Sequence, residues 1–338
     1  MSLSLWTSIC RITVGTCVAA AILLSAPPMG RAQESDVERN SLDATERQRV
    51  VDAVVANLRE HYVDHAIAER MANVVFAHGK SGEYETKDAT AFAGRITKDM
   101  RAASGDMHLE LVYSEERLPE RRAEPSADDL ARHRRRLEEM NCAIAKPEIL
   151  PHNIGYLKMD WFPELSICEA QVRGALATLN HADALIIDLR DNRGGFPEMV
   201  SLVASYLFDH SEYMFNPREA PSEESWTRSP VAGNDLADKP VYILTSRSTF
   251  SGAEQFCYNM KNLKRAKLIG ETTGGGAHAG AFHRIDDHFG MGITEVRVVN
   301  PYGKNDWEGV GVEPDVKVKA EDALDAAKGL ALSHLGSK

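Results

Sequence analysis

Pro240-Val241-Tyr242-Ile243-Leu244-Thr245, followed after a Ser-Arg-Ser step by Thr249-Phe250-Ser251-Gly252-Ala253-Glu254-Gln255, decides how this chain folds. A short continuous apolar run bounded by polar residues reads as a strand buried on both faces. The recurrence of Gln255, Phe256, Tyr258 and Met260 then reads as a helix. A serine flanked by small residues at such a junction is where an α/β hydrolytic enzyme presents its nucleophile. Ser251 is therefore the first candidate catalytic residue.

Strand and helix patterns continue to alternate on both sides of it. Residues 153–157, 184–189 and 267–269 read as strands, and 199–208 and 253–263 as helices. This predicts an α/β core over residues 146–330, with central parallel strands and the active residues at strand ends. Asp188-Leu189-Arg190-Asp191-Asn192-Arg193-Gly194-Gly195 leaves one such strand and enters a helix. Alone it reads as a tight turn. Beside a nucleophile, its glycines let the backbone aim N–H groups at a developing oxyanion. Gly194 or Gly195 is thus one candidate donor, and Gly252, directly after Ser251, the other.

Before the core, apolar residues recur at helical spacing from Leu42 to Gly105, among them Val50, Val54, Leu58, Met71, Val75, Phe92, Ile96 and Met100. A small N-terminal helical domain is expected over residues 38–114, with a turn at 79–83. It ends in Ser104-Gly105-Asp106-Met107-His108-Leu109, where polar residues give way to an alternating strand. His108 sits at that edge and is a candidate base; His278, after the glycine run, is its rival. Residues 115–145 read as a charged linker and helix, too short for a peptide-binding domain of ordinary size. The cluster Arg132 to Arg136 is offset at once by Glu138 and Glu139, which reads as a solvated helix face.

At the extreme N-terminus, Arg11 and the apolar run to Ala26 precede Gly30-Arg31-Ala32. This is the pattern of a signal peptide over residues 1–32, too short for a lasting membrane helix. A periplasmic or secreted product without stable membrane insertion is expected. Its removal takes Arg11 and Arg31 and no acids, moving the formal charge from −11 to −13. So acidic a chain does not suit nucleic acid, whose binding rests on Lys and Arg. Cys142, Cys168 and Cys257 would remain. Cys142 and Cys168 are available to pair in an oxidising compartment, while Cys257 lies in a helix pattern. No Cys or His spacing suggests a metal. The loop Gly270-Glu271-Thr272-Thr273-Gly274-Gly275-Gly276 lacks the Lys-Ser/Thr ending of a phosphate cradle and reads as substrate-lining.

Taken in order, these segments resemble the superfamily of tail-specific proteases, tricorn-type proteases and interphotoreceptor retinoid-binding protein, most nearly its bacterial retinoid-binding-protein-like branch. The resemblance extends to Trp307-Glu308-Gly309-Val310-Gly311-Val312-Glu313-Pro314-Asp315. It implies a ClpP/crotonase-like α/β core with the helical domain attached, and a serine peptidase that cleaves peptides or unfolded proteins through an acyl-enzyme without a cofactor. Tail-specific members use a Ser-Lys dyad, and the place of that lysine is held here by Gly276. The tricorn-like pattern instead draws a histidine from the N-terminal region and a glutamate ahead of a Gly-Val-x-Pro-Asp segment. Those roles fall on His108 and Glu308 with Ser251. The hydroxyl such members carry beside the histidine falls at Met107, a departure. Glu254, inside the helix after Ser251, is a less favoured partner. A non-catalytic binder of retinoid- or fatty-acid-like ligands is the alternative, because fold does not fix function; retention of His108 and Ser251 argues against it. Esters are a further possible substrate for the same acyl chemistry.

Overall fold

The computed structural model of the chain describes residues 42–118, 126–214, 216–217, 226–299 and 306–337. The leader expected over residues 1–32 lies outside them, as do residues 119–125 of the expected linker. Three helices open the fold: α1 (Ala44–His61), α2 (His65–Ser81) and α3 (Ala89–Ser104). Each starts on an aspartate, Asp43, Asp64 or Asp88, whose carboxylate accepts first-turn N–H groups that have no partner inside the helix. The turn expected at 79–83 begins later, because Gly79 still belongs to α2. It faces α1 so closely that a Cβ would lie 3.1 Å from Val51 Cγ1. Gly82 ends the helix at φ 83°, a left-handed cap that glycine adopts without strain.

β1 (Glu110–Tyr113) follows α3, and α4 (Ala127–Glu139) is the charged helix expected before the core. Its one buried residue is Leu137, and Arg132, Arg134, Arg135 and Arg136 are exposed. Cys142, just beyond it, is disulfide-bonded to Cys168. The chain then alternates through β2 (Glu148–Leu150), β3 (Ile154–Lys158), α5 (Leu165–Thr178), β4 (Ala184–Asp188), α6 (Pro197–Ser205) and the two-residue β5 (Asn216–Pro217). It continues through β6 (Val241–Thr245), α7 (Gly252–Asn262), β7 (Ala266–Gly270), β8 (Ala279–Arg284), β9 (Phe289–Val296), β10 (Val298–Val299), β11 (Val316–Lys317) and α8 (Ala323–Leu335).

The result is a mixed α/β fold. Its main sheet runs β11-β7-β6-β4-β3-β2, parallel except for the β2 edge. β4 and β6 are buried at every residue, as apolar strands covered on both faces must be. One face packs on α5, α6 and α7 through residues such as Val172, Val203, Phe256 and Met260. On the other, Ala323, Ala327 and Ala331 of α8 lie against Ile154, Ile186, Tyr242 and Leu244. The loops leaving β3, β4, β6 and β7 all emerge at the carboxyl ends of parallel strands, where open α/β sheets place their sites.

The N-terminal helical unit does not end at residue 114. β8 and β9 leave the core and form a second sheet with β1, in the order β1-β9-β8. Phe289, Met291 and Ile293 of β9 enter the core of α1, α2 and α3, and the Phe289 ring meets Phe92 edge-on at 6.0 Å. A four-residue strand has little stability alone and needs such neighbours. This pairing carries His108, which immediately precedes β1, to the rim of the α/β core.

Candidate active site

Ser251 occupies the turn from β6 into α7 with φ 53° and ψ −119°. A non-glycine residue at positive φ costs on the order of 1–3 kcal/mol and persists only where its surroundings dictate it. Here they do: Phe250 N–H donates to Asn192 O at 3.0 Å, Thr249 Oγ1 to Leu189 O at 2.8 Å, and Ser251 N–H to Glu254 Oε2 at 2.8 Å. The strained turn lifts the serine out of the buried sheet, to the N-terminal end of a helix whose dipole favours negative charge.

Glu254 is fully buried in the first turn of α7 and has four donors: Ser251 N–H, Thr273 Oγ1–H, Gly275 N–H and Gly276 N–H. Burial pushes its pKa up, and these bonds oppose the rise. It fastens the serine turn to the glycine loop rather than facing a histidine. Asn192, also fully buried, donates to Met159 O and accepts from Gly194 N–H at 2.8 Å. The Gly194 amide is therefore occupied. The N–H groups of Gly195 and Gly252 have no acceptor among the described residues. These two glycines touch, since a Cβ on Gly252 would lie 3.3 Å from Gly195 N. Gly194 has φ 105°, and a Cβ there would come 2.8 Å from Ser251 Cβ, so no side chain fits.

His108 reaches this cleft from the other sheet. Its ring lies 4.6 Å from the Phe250 ring, centroid to centroid, next to the nucleophile in sequence. No hydrogen bond joins it to Ser251. The carboxylate in ion-pair contact with it is neither Glu308 nor Glu254 but Asp106, whose Oδ1 is 3.7 Å from His108 Nδ1 and also accepts the His108 N–H at 2.8 Å. Asp106 is 1% exposed, and its Oδ2 accepts from Thr294 Oγ1 at 2.6 Å and Tyr62 OH at 3.2 Å. Burial alone would raise its pKa, but the contacts with His108 and Thr294 outweigh burial and lower it. Sequence reasoning missed Asp106. The available signal was an acid two residues before a candidate base, at a helix-to-strand turn.

Glu308 is held against the backbone that follows Gly276. Its Oε2 accepts the amides of Ala277 at 2.6 Å and His278 at 3.2 Å, while Oε1 is buried without a partner. Burial, with the negative charge of Asp106 adding to it, pushes Glu308 up to about 7. His278, the rival base, is 7% exposed with Nε2 3.7 Å from Asp306 Oδ2, and burial lowers its pKa. Gly276 completes the pocket: a Cβ built on it would fall 2.6 Å from His108 Cε1 and closer still to the Phe250 ring. Trp307 Nε1–H donates to Gly276 O at 2.9 Å and fixes that backbone.

The sequence profile of peptidase family S41 matches residues 153–318, which hold every strand of the main sheet except β2 and the Ser251 turn. Carboxyl-terminal-processing peptidase 2 from the chloroplast of Arabidopsis thaliana is 30% identical over 166 residues, 48% of this chain and 31% of that protein. The chain spans about a third of the length of the curated relatives it matches. Among solved structures, a putative peptidase from Parabacteroides merdae superposes with a TM-score of 0.56 at 18% identity, covering 85% of this chain and 96% of that one. The tricorn protease superposes with a TM-score of 0.58 at 15% identity, over 87% of this chain and 37% of that one. Both share the fold. Residues 153–318, and with them the turn that carries Ser251, belong to peptidase family S41.

Proposed function

We propose that this chain is an exported serine peptidase in which Ser251 is the nucleophile and His108 its general base. The observation that carries the reading is the packing at Gly276. In the dyad members that this sequence resembles, a lysine projects from this position; here His108 Cε1 and the Phe250 ring fill the space a side chain would need. The imidazole thus takes up the room that the base of a lysine side chain would need. In the reaction, Ser251 Oγ forms a bond to the peptide carbonyl carbon as its proton passes to His108. The carbonyl electron pair moves onto oxygen, facing the free amides of Gly195 and Gly252. The C–N bond then breaks, His108 returns the proton to the leaving amine, and water releases the acyl group by the same route.

Asp106, 3.7 Å from His108 Nδ1, takes the role that the resemblance gives to Glu308, offsetting the charge of the ring when it is protonated. Glu308 shapes the 276–278 turn through two amides. Export is supported by the apolar leader and by the Cys142–Cys168 bridge, of a kind that persists in oxidising compartments. The test is digestion of casein and mixed peptides by purified protein, beside Ser251→Ala and His108→Ala at matched folding. Cleavage lost in both supports the assignment. Wild-type cleavage in Ser251→Ala refutes it, and saturable binding of a fluorescent fatty acid with no cleavage by wild type transfers the reading to an apolar-ligand binder.

A further inference from the structure

Away from the cleft, three donors from distant parts of the sequence converge where the N-terminal unit is stitched together. They are His61, the last residue of α1, His283 on β8 and Glu295 on β9. One ligand atom from each lies within 4.8 Å of the others. Glu295 Oε1 contacts His283 Nε2 and is 3.9 Å from His61 Nδ1. The side chains are 29%, 23% and 30% exposed for His61, His283 and Glu295, open enough for an ion and one water to enter.

A hydrogen bond from His283 to Glu295 would satisfy one imidazole and leave the other without a comparable partner. The His61 ring is stacked on that of His283, with centroids 4.1 Å apart and planes 20° from parallel. A dication satisfies all three groups at once. Two neutral imidazoles and one carboxylate are the donors of a zinc-class ion with an open fourth position, and imidazole disfavours magnesium and calcium. Tetrahedral donors about 2.0–2.2 Å from the ion stand roughly 3.4 Å apart. The widest edge must therefore close by on the order of 1 Å, with the two rings swinging out of their stack by side-chain rotation. The backbone is already fixed. Val63 N–H, two residues after His61, donates to Thr294 O at 2.9 Å, and β8 and β9 are paired along their length.

We propose that His61, His283 and Glu295 bind one divalent transition ion of the zinc class, with water as the fourth ligand. The ion would staple α1 to the β8–β9 hairpin. It would also stiffen the support of His108, because Thr294, adjacent to Glu295, donates to Asp106.

The experiment is zinc titration of EDTA-stripped, dialysed protein carrying Ser251→Ala, so that binding is read apart from any peptidase activity. Calorimetry is expected to give one equivalent, and cobalt(II) in its place the intense visible bands of tetrahedral coordination. His61→Gln and Glu295→Gln are each expected to weaken zinc at least tenfold and to lose those bands. Melting in EDTA checks that both variants fold, and zinc should raise the melting temperature of the parent protein but not of the variants. Zinc bound equally by parent and variants, octahedral cobalt spectra, or no stoichiometric binding by the parent overturns the proposal. Should one variant fail to fold, the other with the parent's cobalt spectrum still decides it.

Discussion

Substituting Gly276→Ala tests the proposed site where His108 packs on the glycine loop. Gly276 has no positive φ, so the backbone accepts alanine; the conflict is steric and local. The new methyl carbon would lie 2.6 Å from His108 Cε1, and carbons rest about 3.5–4.0 Å apart, so the imidazole must retreat by roughly 1 Å. Phe250, closer still, must give as well. Overpacking of this kind costs about 1–3 kcal/mol of stability. Catalysis should suffer more, because about 1 Å of misplacement can cost ~10²-fold, or ~2.7 kcal/mol of transition-state stabilisation. The assay is kcat/KM on a fluorogenic peptide cleaved by the wild type, for Gly276→Ala, His108→Ala and the double variant. If the methyl acts by displacing the base, it costs ~10²-fold alone and almost nothing once His108 is gone. Additive losses, or wild-type activity in Gly276→Ala, would refute the idea that His108 works from the space above Gly276.

Three further outcomes follow from the same geometry. Asp106→Asn keeps the shape that Tyr62 and Thr294 hold but removes the charge beside His108 Nδ1, so kcat should fall by roughly 10–10³-fold with KM little changed; unchanged kcat would make Asp106 purely structural. Glu308, pushed up to about 7 from an ordinary 4.5, stays protonated in the folded protein at pH values where the unfolded chain has ionised it. Its contribution to stability is therefore undiminished below pH 4.5 and is lost as pH rises through 7, and Glu308→Gln should flatten the fall in melting temperature between pH 5 and 8; an identical slope in the variant contradicts the burial argument. Reducing the Cys142–Cys168 bridge, which spans 26 residues, should destabilise the protein by about 3 kcal/mol on the loop-closure account and lower its melting temperature by several degrees; an unchanged melt under reductant would show that the bridge constrains nothing.

Local chemistry made the core legible. The continuous apolar run at residues 241–245, bounded by polar residues, reads as a buried strand, and Gly252 and Ala253 after Ser251 mark the tight turn into the helix, where Gly252 packs against Gly195. The two-sheet arrangement was not legible. β8 and β9 are interrupted by Gly280, Gly290 and Gly292, and a Cβ on Gly280 or Gly290 would strike the neighbouring strand or the Phe282 ring. Glycines demanded by cross-strand crowding look in sequence like loop residues, so a hairpin 165 residues and more after β1 gave no sign that it completes the N-terminal unit. Asp106 was hidden for a related reason. Its role depends on Tyr62 and Thr294, which are 44 and 188 residues away, and only the closed fold brings them together.

If His108 is the base, the same closure accounts for how the fold could hold either of two bases. A lysine at position 276 needs the volume in front of the glycine loop to be empty, whereas a histidine arriving from the turn before β1 needs position 276 to have no side chain. The alternatives exclude each other sterically. Under the proposed mechanism, a chain with glycine at 276 must therefore draw its base from the N-terminal unit, and the alignment of β1 on β9 becomes part of what positions the active site. Disturbing that pairing, by a charged side chain in place of Met291 or Ile293 under the helices, should cost activity before it unfolds the α/β core. The core keeps its own cluster of buried side chains around α5, α6 and α7, which needs nothing from β9.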